Sequence, residues 1–270
     1  MMQPHPLLPK LKQLRLGGMA YSLPQRSQEA IDRSLPPVEF LALLVDDEIE
    51  RREETKFRRR IGEAGIDESK TVASFDFSAA PRLKRTLINE LSSCRFVGKG
   101  ENVLLVGPTG TGKSHLAQGL AYEAIKRGYR VLYRPLHHLV DRLYAGRADG
   151  TFHKVYTNIL RVDVLILDDF GLVPLSTCGA QDLYEIIRDR YERKSIILTS
   201  NRAPEEWAEV FGNSLLASAA LDRLTHHSHF IEMTGESYRQ RQRRLDTGGS
   251  ITGQKAVRTD NTSEGKGGDM

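Results

Sequence analysis

Eight consecutive residues constrain this chain more than any others. Gly107, Pro108, Thr109, Gly110, Thr111, Gly112, Lys113 and Ser114 fit the pattern G-x-x-x-x-G-K-[ST] in full. The pattern carries weight only between a buried strand and a helix, and both are written beside it. Residues 102–106, NVLLV, form a short apolar run, and residues 115–128, HLAQGLAYEAIKRG, have helical periodicity closed by a glycine. Glycines let the backbone wrap phosphates with its N–H groups inward, and the helix adds its positive end to the same anion. Lys113 is placed to reach the β and γ phosphates, and Ser114 to offer a hydroxyl to Mg²⁺. His115 completes the loop-to-helix junction expected to face the nucleotide. ATP and Mg²⁺ are the expected ligands.

From about residue 100 onward, apolar runs alternate with helical stretches: YRVLYR, LHHLVDRLYAG, VDVLILDDFG, GAQDLYEIIRDRYERK and SIILTSN. Such alternation predicts βαβ units and a parallel sheet, an α/β fold. In parallel sheets ligands bind where strands end. Two such ends carry chemistry. VLILDDF puts Asp168 where a carboxylate can hold Mg²⁺ and Asp169 where one can deprotonate the attacking water. The bland alternative is a pair of acidic residues capping a strand. SIILTSN ends in Asn201, placed either to reach the γ-phosphate and the lytic water or to cap a turn.

Residues 1–70 read as a small helical region. Pro36 and Pro37 precede VEFLALLVDDEIERREETKFRRR, and Ser34 is the expected N-cap. A further helix is expected around 82–94. The last residues, 245–270, are rich in Gly, Ser and Thr without apolar periodicity and are expected to form a disordered tail. Residues 71–244 between them form the expected nucleotide-binding domain.

Charge and cysteine content narrow the classes. The net charge is +4 and the pI about 9.0, which permits a polyanionic partner. Cys94 and Cys178 fit neither a zinc pattern nor a disulfide framework. No apolar run approaches a membrane span and no signal-peptide core is present, so no membrane and a cytoplasmic location are expected.

P-loop, then apolar-Asp-Asp, then strand-Thr-Ser-Asn resembles the AAA+ ATPases, within them the branch of DnaA, the helicase loader DnaC and IstB. LPKLKQLRLGGMA, the helix ending ERREETKFRRR, and KTVASFDF are similar to the opening of IstB, the ATPase encoded beside the transposase in IS21-type insertion sequences. The resemblance covers roughly residues 8–244. It implies a P-loop AAA+ three-layer parallel sheet with a reduced C-terminal lid, because the chain after Phe230 is short. It implies further that Asp168 and Asp169 are the Walker B pair, Asn201 is sensor I, and Arg223, in LDRL, is the arginine finger given to a neighbouring subunit. Arg190 and Arg193 are rival fingers, and Arg239 is the sensor II candidate.

The same resemblance implies a homo-oligomer on double-stranded DNA that recruits or activates a transposase. A DnaC-type replicative helicase loader is the alternative, and a small-molecule P-loop kinase a weaker one that lacks an acceptor lid. For DNA contacts, Arg52, Lys56, Arg59 and Arg60 share a helical face, unless that helix is merely solvated and held by pairs such as Glu54–Arg58. Arg147, His153 and Lys154, in a segment expected to face the central channel, are the second group. His137 and His138, and likewise His226, His227 and His229, read as ordinary surface or packing residues, with no acidic or Cys partner at metal spacing. Trp207 reads as a core or subunit-contact residue.

Overall fold

A computed structural model of the chain describes residues 6–235, 237 and 238. The expected lid beyond Tyr238, the tail at 245–270 and Arg239 lie outside the described residues. Three helices come first: α1 (Leu8–Gln13), α2 (Gly17–Asp32) and α3 (Pro37–Ala64). The glycine pair in LRLGGMA has a structural reason. Glu48 of α3 accepts hydrogen bonds from the N–H groups of Gly18 at 2.6 Å and Met19 at 3.2 Å, so a carboxylate from α3 caps the positive end of the helix before it, α2. A Cβ at position 18 would lie 2.6 Å from the Glu48 Cα. Arg26 then clasps Asp47 with two bonds, at 2.9 and 2.8 Å.

The expected start of α3 is corrected by the structure. Pro36, not Ser34, is its N-cap residue, and Ser34 takes a left-handed turn (φ 51°) leaving α2. Proline at the first helical position fixes φ and spares an N–H that has no helical acceptor. The single helix expected at 82–94 is two, α4 (Arg85–Ser92) and α5 (Arg95–Lys99), separated by left-handed Cys94.

Five strands follow, β1 (Asn102–Val106), β2 (Val131–Pro135), β3 (Val164–Phe170), β4 (Ser195–Ser200) and β5 (Ser228–Glu232). All pair in parallel, in the order β2-β3-β4-β1-β5. The helices between them are α6 (Lys113–Lys126), α7 (Leu136–Ala148), α8 (Phe152–Arg161), α9 (Thr177–Arg190), α10 (Trp207–Phe211) and α11 (Ser214–Thr225). Strand side chains alternate between faces. Val103, Leu105, Ile166 and Ile197 therefore pack with α4, α5, α6 and the end of α3, whereas Leu104, Leu165, Leu167 and Leu198 pack with α7 to α11. The result is the expected three-layer α/β sandwich. Ile61 and Ala64 at the end of α3 belong to the first core, so the N-terminal helices are fastened to the sheet domain there.

Candidate functional site

The P-loop leaves β1 at its C-terminal end, and the φ angles of Gly107 (150°) and Gly112 (91°) are ones that side chains resist. Space adds to the constraint. A Cβ on Gly107 would sit 2.0 Å from the Met233 carbonyl oxygen, and one on Gly112 would sit 2.7 Å from the Phe75 ring. The FDF segment thus has a local role as the outer wall of the loop. Thr111 braces the turn by donating to the Pro108 carbonyl at 2.9 Å, and Gly110 accepts from the Tyr238 N–H at 2.9 Å.

Lys113 is buried and bends back on the loop, donating to the carbonyls of Gly107 (2.7 Å) and Pro108 (2.8 Å). Burial pulls its pKa below the usual lysine value, against the fields of Asp169 and Asp168. Ser114 donates to Asp168 at 2.8 Å, which places the first turn of α6 against the end of β3.

Asp168 is buried and takes hydroxyl donors from three elements: Ser114, Tyr133 of β2 and Thr199 of β4. Burial and then the Asp168 carboxylate raise the Tyr133 phenol well above its ordinary range, so it stays a donor. An acidic side chain held by neutral hydroxyls, with no arginine or lysine among these partners, is a donor set that suits a hard divalent cation. The sequence pattern alone singles out neither Tyr133 nor Thr199. The available signal was positional, since both lie on strands flanking β3.

Asp169 breaks the strand. Its φ of 57° is left-handed, its N–H donates to Thr199 Oγ1 at 3.0 Å, and β3 slips its register with β4 between Leu167 and Phe170. That backbone turn directs Asp169 into a cleft of about 590 Å³ together with Asp168, Asn201 and the loop residues Thr109 to His115. Ser74, Phe75, Asp76 and Ala79 close its other side, volume enough for a nucleotide. His115 is turned toward this wall, 3.0 Å from the Thr71 carbonyl and 3.1 Å from Ser74 Oγ.

Arg223 is not in this cleft. Its backbone carbonyl and that of Leu224 accept from the Asn102 side chain, at 3.4 and 3.1 Å, where β1 begins. The P-loop starts five residues later, about 16 Å along the strand. The guanidinium donates to the Ala219 carbonyl at 2.7 Å and lies over the rings of Tyr184 (5.7 Å) and Tyr191 (6.0 Å). Arg190 is a correction to the list of rival fingers. It is 1% exposed and donates to the carbonyls of Ile159, Val162, Asp163 and Ser195, so it is a core strut. Arg193 is exposed.

The basic residues divide as well. Lys56 and Arg59 are exposed on α3, Arg60 is half-buried, and Arg52 is drawn to Glu48 (2.6 Å) and the Arg15 carbonyl. Arg58 is paired with Glu54 at 2.6 Å. The expected channel segment is mostly helical. Arg147 ends α7 and is exposed, with Asp182 holding both of its terminal nitrogens and its guanidinium 4.1 Å from the Phe152 ring centre, so a phosphate would have to displace that carboxylate. His153 and Lys154 on α8 remain exposed. Trp207 is core: fully buried, it donates to Ser200 Oγ and the Arg202 carbonyl, each at 3.1 Å.

The model of IstB-like ATP-binding proteins matches residues 9–246. The chain is 35% identical over 240 residues to the insertion sequence IS21 ATP-binding protein of Pseudomonas aeruginosa, covering 89% of this chain and 91% of the relative. It is 39% identical over 234 residues to an insertion-sequence ATP-binding protein of Mycobacterium tuberculosis, covering 86% and 93%. Among solved structures, the fold is similar to AMPPCP-bound DnaA from Aquifex aeolicus (TM-score 0.55, 23% identity, 71% of this chain and 58% of that one). It is also similar to DnaI (TM-score 0.52, 24% identity, 61% and 90%). Among the described residues no helix is long and apolar enough to cross a membrane.

Proposed function

The chain belongs to the IstB-like ATP-binding proteins, and from that premise we propose that it is a Mg²⁺-dependent ATPase that assembles on double-stranded DNA and recruits or activates a transposase. The observation that carries the catalytic part is the Ser114–Asp168 hydrogen bond at the mouth of the P-loop. It brings together the hydroxyl and the carboxylate that would share Mg²⁺. When bound, the metal would neutralise charge on the transferred phosphoryl group.

The remaining steps belong to the chain's own side chains. Lys113 exchanges its bonds to the Gly107 and Pro108 carbonyls for phosphate oxygens. Asp169 takes a proton from the attacking water, with Asn201 holding that water in line. Asp169 is one methylene shorter than the glutamate most AAA+ proteins carry there, which shifts the water's position and slows hydrolysis. Arg223 of an adjoining chain stabilises the charge that develops on the transferred group. Its distance from its own P-loop favours such a role in trans, and turnover then requires assembly.

Residues 1–70 act as the unit for self-assembly and DNA contact, with residues 71–244 as the ATPase. Lys56 and Arg60 on α3 and Lys154 on α8 neutralise DNA phosphates, with Arg59 leaving its exposed pair with Glu63 (3.6 Å) and Arg52 and Arg147 giving up their carboxylate partners to do so. The insertion-sequence setting of the relatives favours this reading over a helicase loader. The test is ATP turnover with and without duplex DNA, combined with the size of the complex in solution. Stimulation by DNA together with a larger assembly is expected. A DNA-independent rate from a chain that remains monomeric would overturn the proposal.

A further inference from the structure

The edge of the sheet where the strands begin carries a cluster that the nucleotide chemistry does not use. His226 and His227 form the turn between α11 and β5, and Glu192 lies in the turn between α9 and β4, 34 positions upstream of His226. Their donor atoms converge. Glu192 Oε1 is 3.9 Å from His226 Nδ1 and 3.9 Å from His227 Nε2, and the two imidazole ring centres are 3.8 Å apart. All three side chains are about half exposed, at 56, 49 and 61%. The acidic partner missing from the sequence spacing is therefore supplied by the turn between α9 and β4.

The backbone under the cluster is both strained and fixed. Glu192 (φ 56°) and His227 (φ 51°) each hold a left-handed conformation that non-glycine residues rarely adopt. Such strain collects where side chains must be aimed. The His227 carbonyl is tied to the Asn102 N–H at 3.1 Å. The Glu192 turn packs so closely on Gly100 that a Cβ there would meet it at 2.9 Å. Both turns thus stand on the start of β1, and the three donors need only side-chain movement to close.

We propose that Glu192, His226 and His227 bind a divalent transition metal of the zinc class. Two imidazoles and a carboxylate are a zinc donor set, and tetrahedral donors about 2 Å from the ion lie about 3.3 Å from one another. Closing the two carboxylate distances from 3.9 Å needs a shift of roughly 0.6 Å, and all three donor atoms lie within 4.8 Å of one another. His226 Nδ1 must release the Tyr191 hydroxyl, now at 2.5 Å, when its lone pair turns to the ion. Both rings bind neutral, and the fourth position stays open to water. The site stands at the opposite end of β1 from the P-loop, so it is separate from the nucleotide cleft.

The test uses the full chain, freed of metal with a chelator and titrated with ZnCl₂ against a competing fluorescent chelator. One equivalent of competitive binding is expected. Glu192→Gln and His227→Asn should each weaken it at least about tenfold; asparagine tolerates the left-handed backbone, so the fold is kept. His138→Ala and His229→Ala should leave it unchanged, since His229 is engaged by Glu101 at 2.8 Å. Lys113→Ala should also leave it unchanged, which separates this site from the ATPase reading. Absence of competitive binding, equal binding in Glu192→Gln and His227→Asn, or an equal loss in the two histidine controls would overturn the proposal.

Discussion

Ser114 and Asp168 are 54 positions apart in sequence, and the hydroxyl of the first donates to the carboxylate of the second at 2.8 Å. Two further hydroxyls, from Tyr133 and Thr199, reach the same carboxylate. Asp168 is therefore oriented before any ligand arrives, which lowers the reorganisation needed on binding.

That orientation predicts the behaviour of Tyr133→Phe. The variant keeps the ring and loses only the donor to Asp168. The Mg²⁺ concentration for half-maximal turnover should rise by roughly 10–100-fold, the usual cost of removing an outer partner of a metal ligand. A Mg²⁺ titration of ATP turnover measures it, and an unchanged midpoint would remove Tyr133 from the site.

Lys113 and Asp169 should fail in different ways. Lys113→Ala removes a charge-assisted bond to phosphate and should weaken ATP binding by about 10–100-fold. Asp169→Asn should leave ATP affinity within a few fold and lower kcat by about 10²–10⁴. Equilibrium binding of a fluorescent ATP analogue and single-turnover hydrolysis separate the two effects. Equal loss of binding in both variants would contradict the division of roles.

Arg223→Ala should bind ATP normally and lose turnover by a factor of about 10³ or more. Mixed with the Lys113→Ala chain, it should regain part of its activity, because an intact cleft then meets an intact arginine across an interface. Activity that stays absent at every mixing ratio would show that Arg223 does not act across subunits.

Arg190→Met should damage stability, not catalysis in trans. Four backbone carbonyls lose their donor in a dry core, a cost of about 3 kcal/mol or more. For a chain of this size the thermal midpoint should fall by roughly 6–12 °C. Mixing with Lys113→Ala should give no rescue beyond the folded fraction.

The parallel sheet and the nucleotide loop were legible because they are local. Apolar runs at strand length, a glycine-rich turn and a helix adjoin one another, and GPTGTGKS lies where they meet. Asp168 was legible for the same reason, as a carboxylate ending an apolar run. What stayed hidden depends on contacts between distant segments. Tyr133 looks like any strand tyrosine until β2 lies against β3. Arg190 and Arg193 are indistinguishable in RDRYERK, and only the path of α9 buries one and exposes the other. The pairing of Arg147 is hidden because Asp182, its partner, lies on another helix. His226 and His227 gave no metal signal because Glu192 approaches from a separate crossover.

The placement of Arg223 where β1 begins, and of the nucleotide cleft where β1 ends, has a geometric consequence. If Arg223 serves the cleft of an adjoining chain and the two lie on separate faces, a twofold pair would leave both unused, and the contact joins unlike surfaces. Contact of unlike surfaces must repeat from chain to chain, head to tail. Unless it closes into a ring, any row of these subunits has an arrow: one end shows a cleft with no arginine, the other an arginine with no cleft. Growth and dismantling at the two ends then follow different rules.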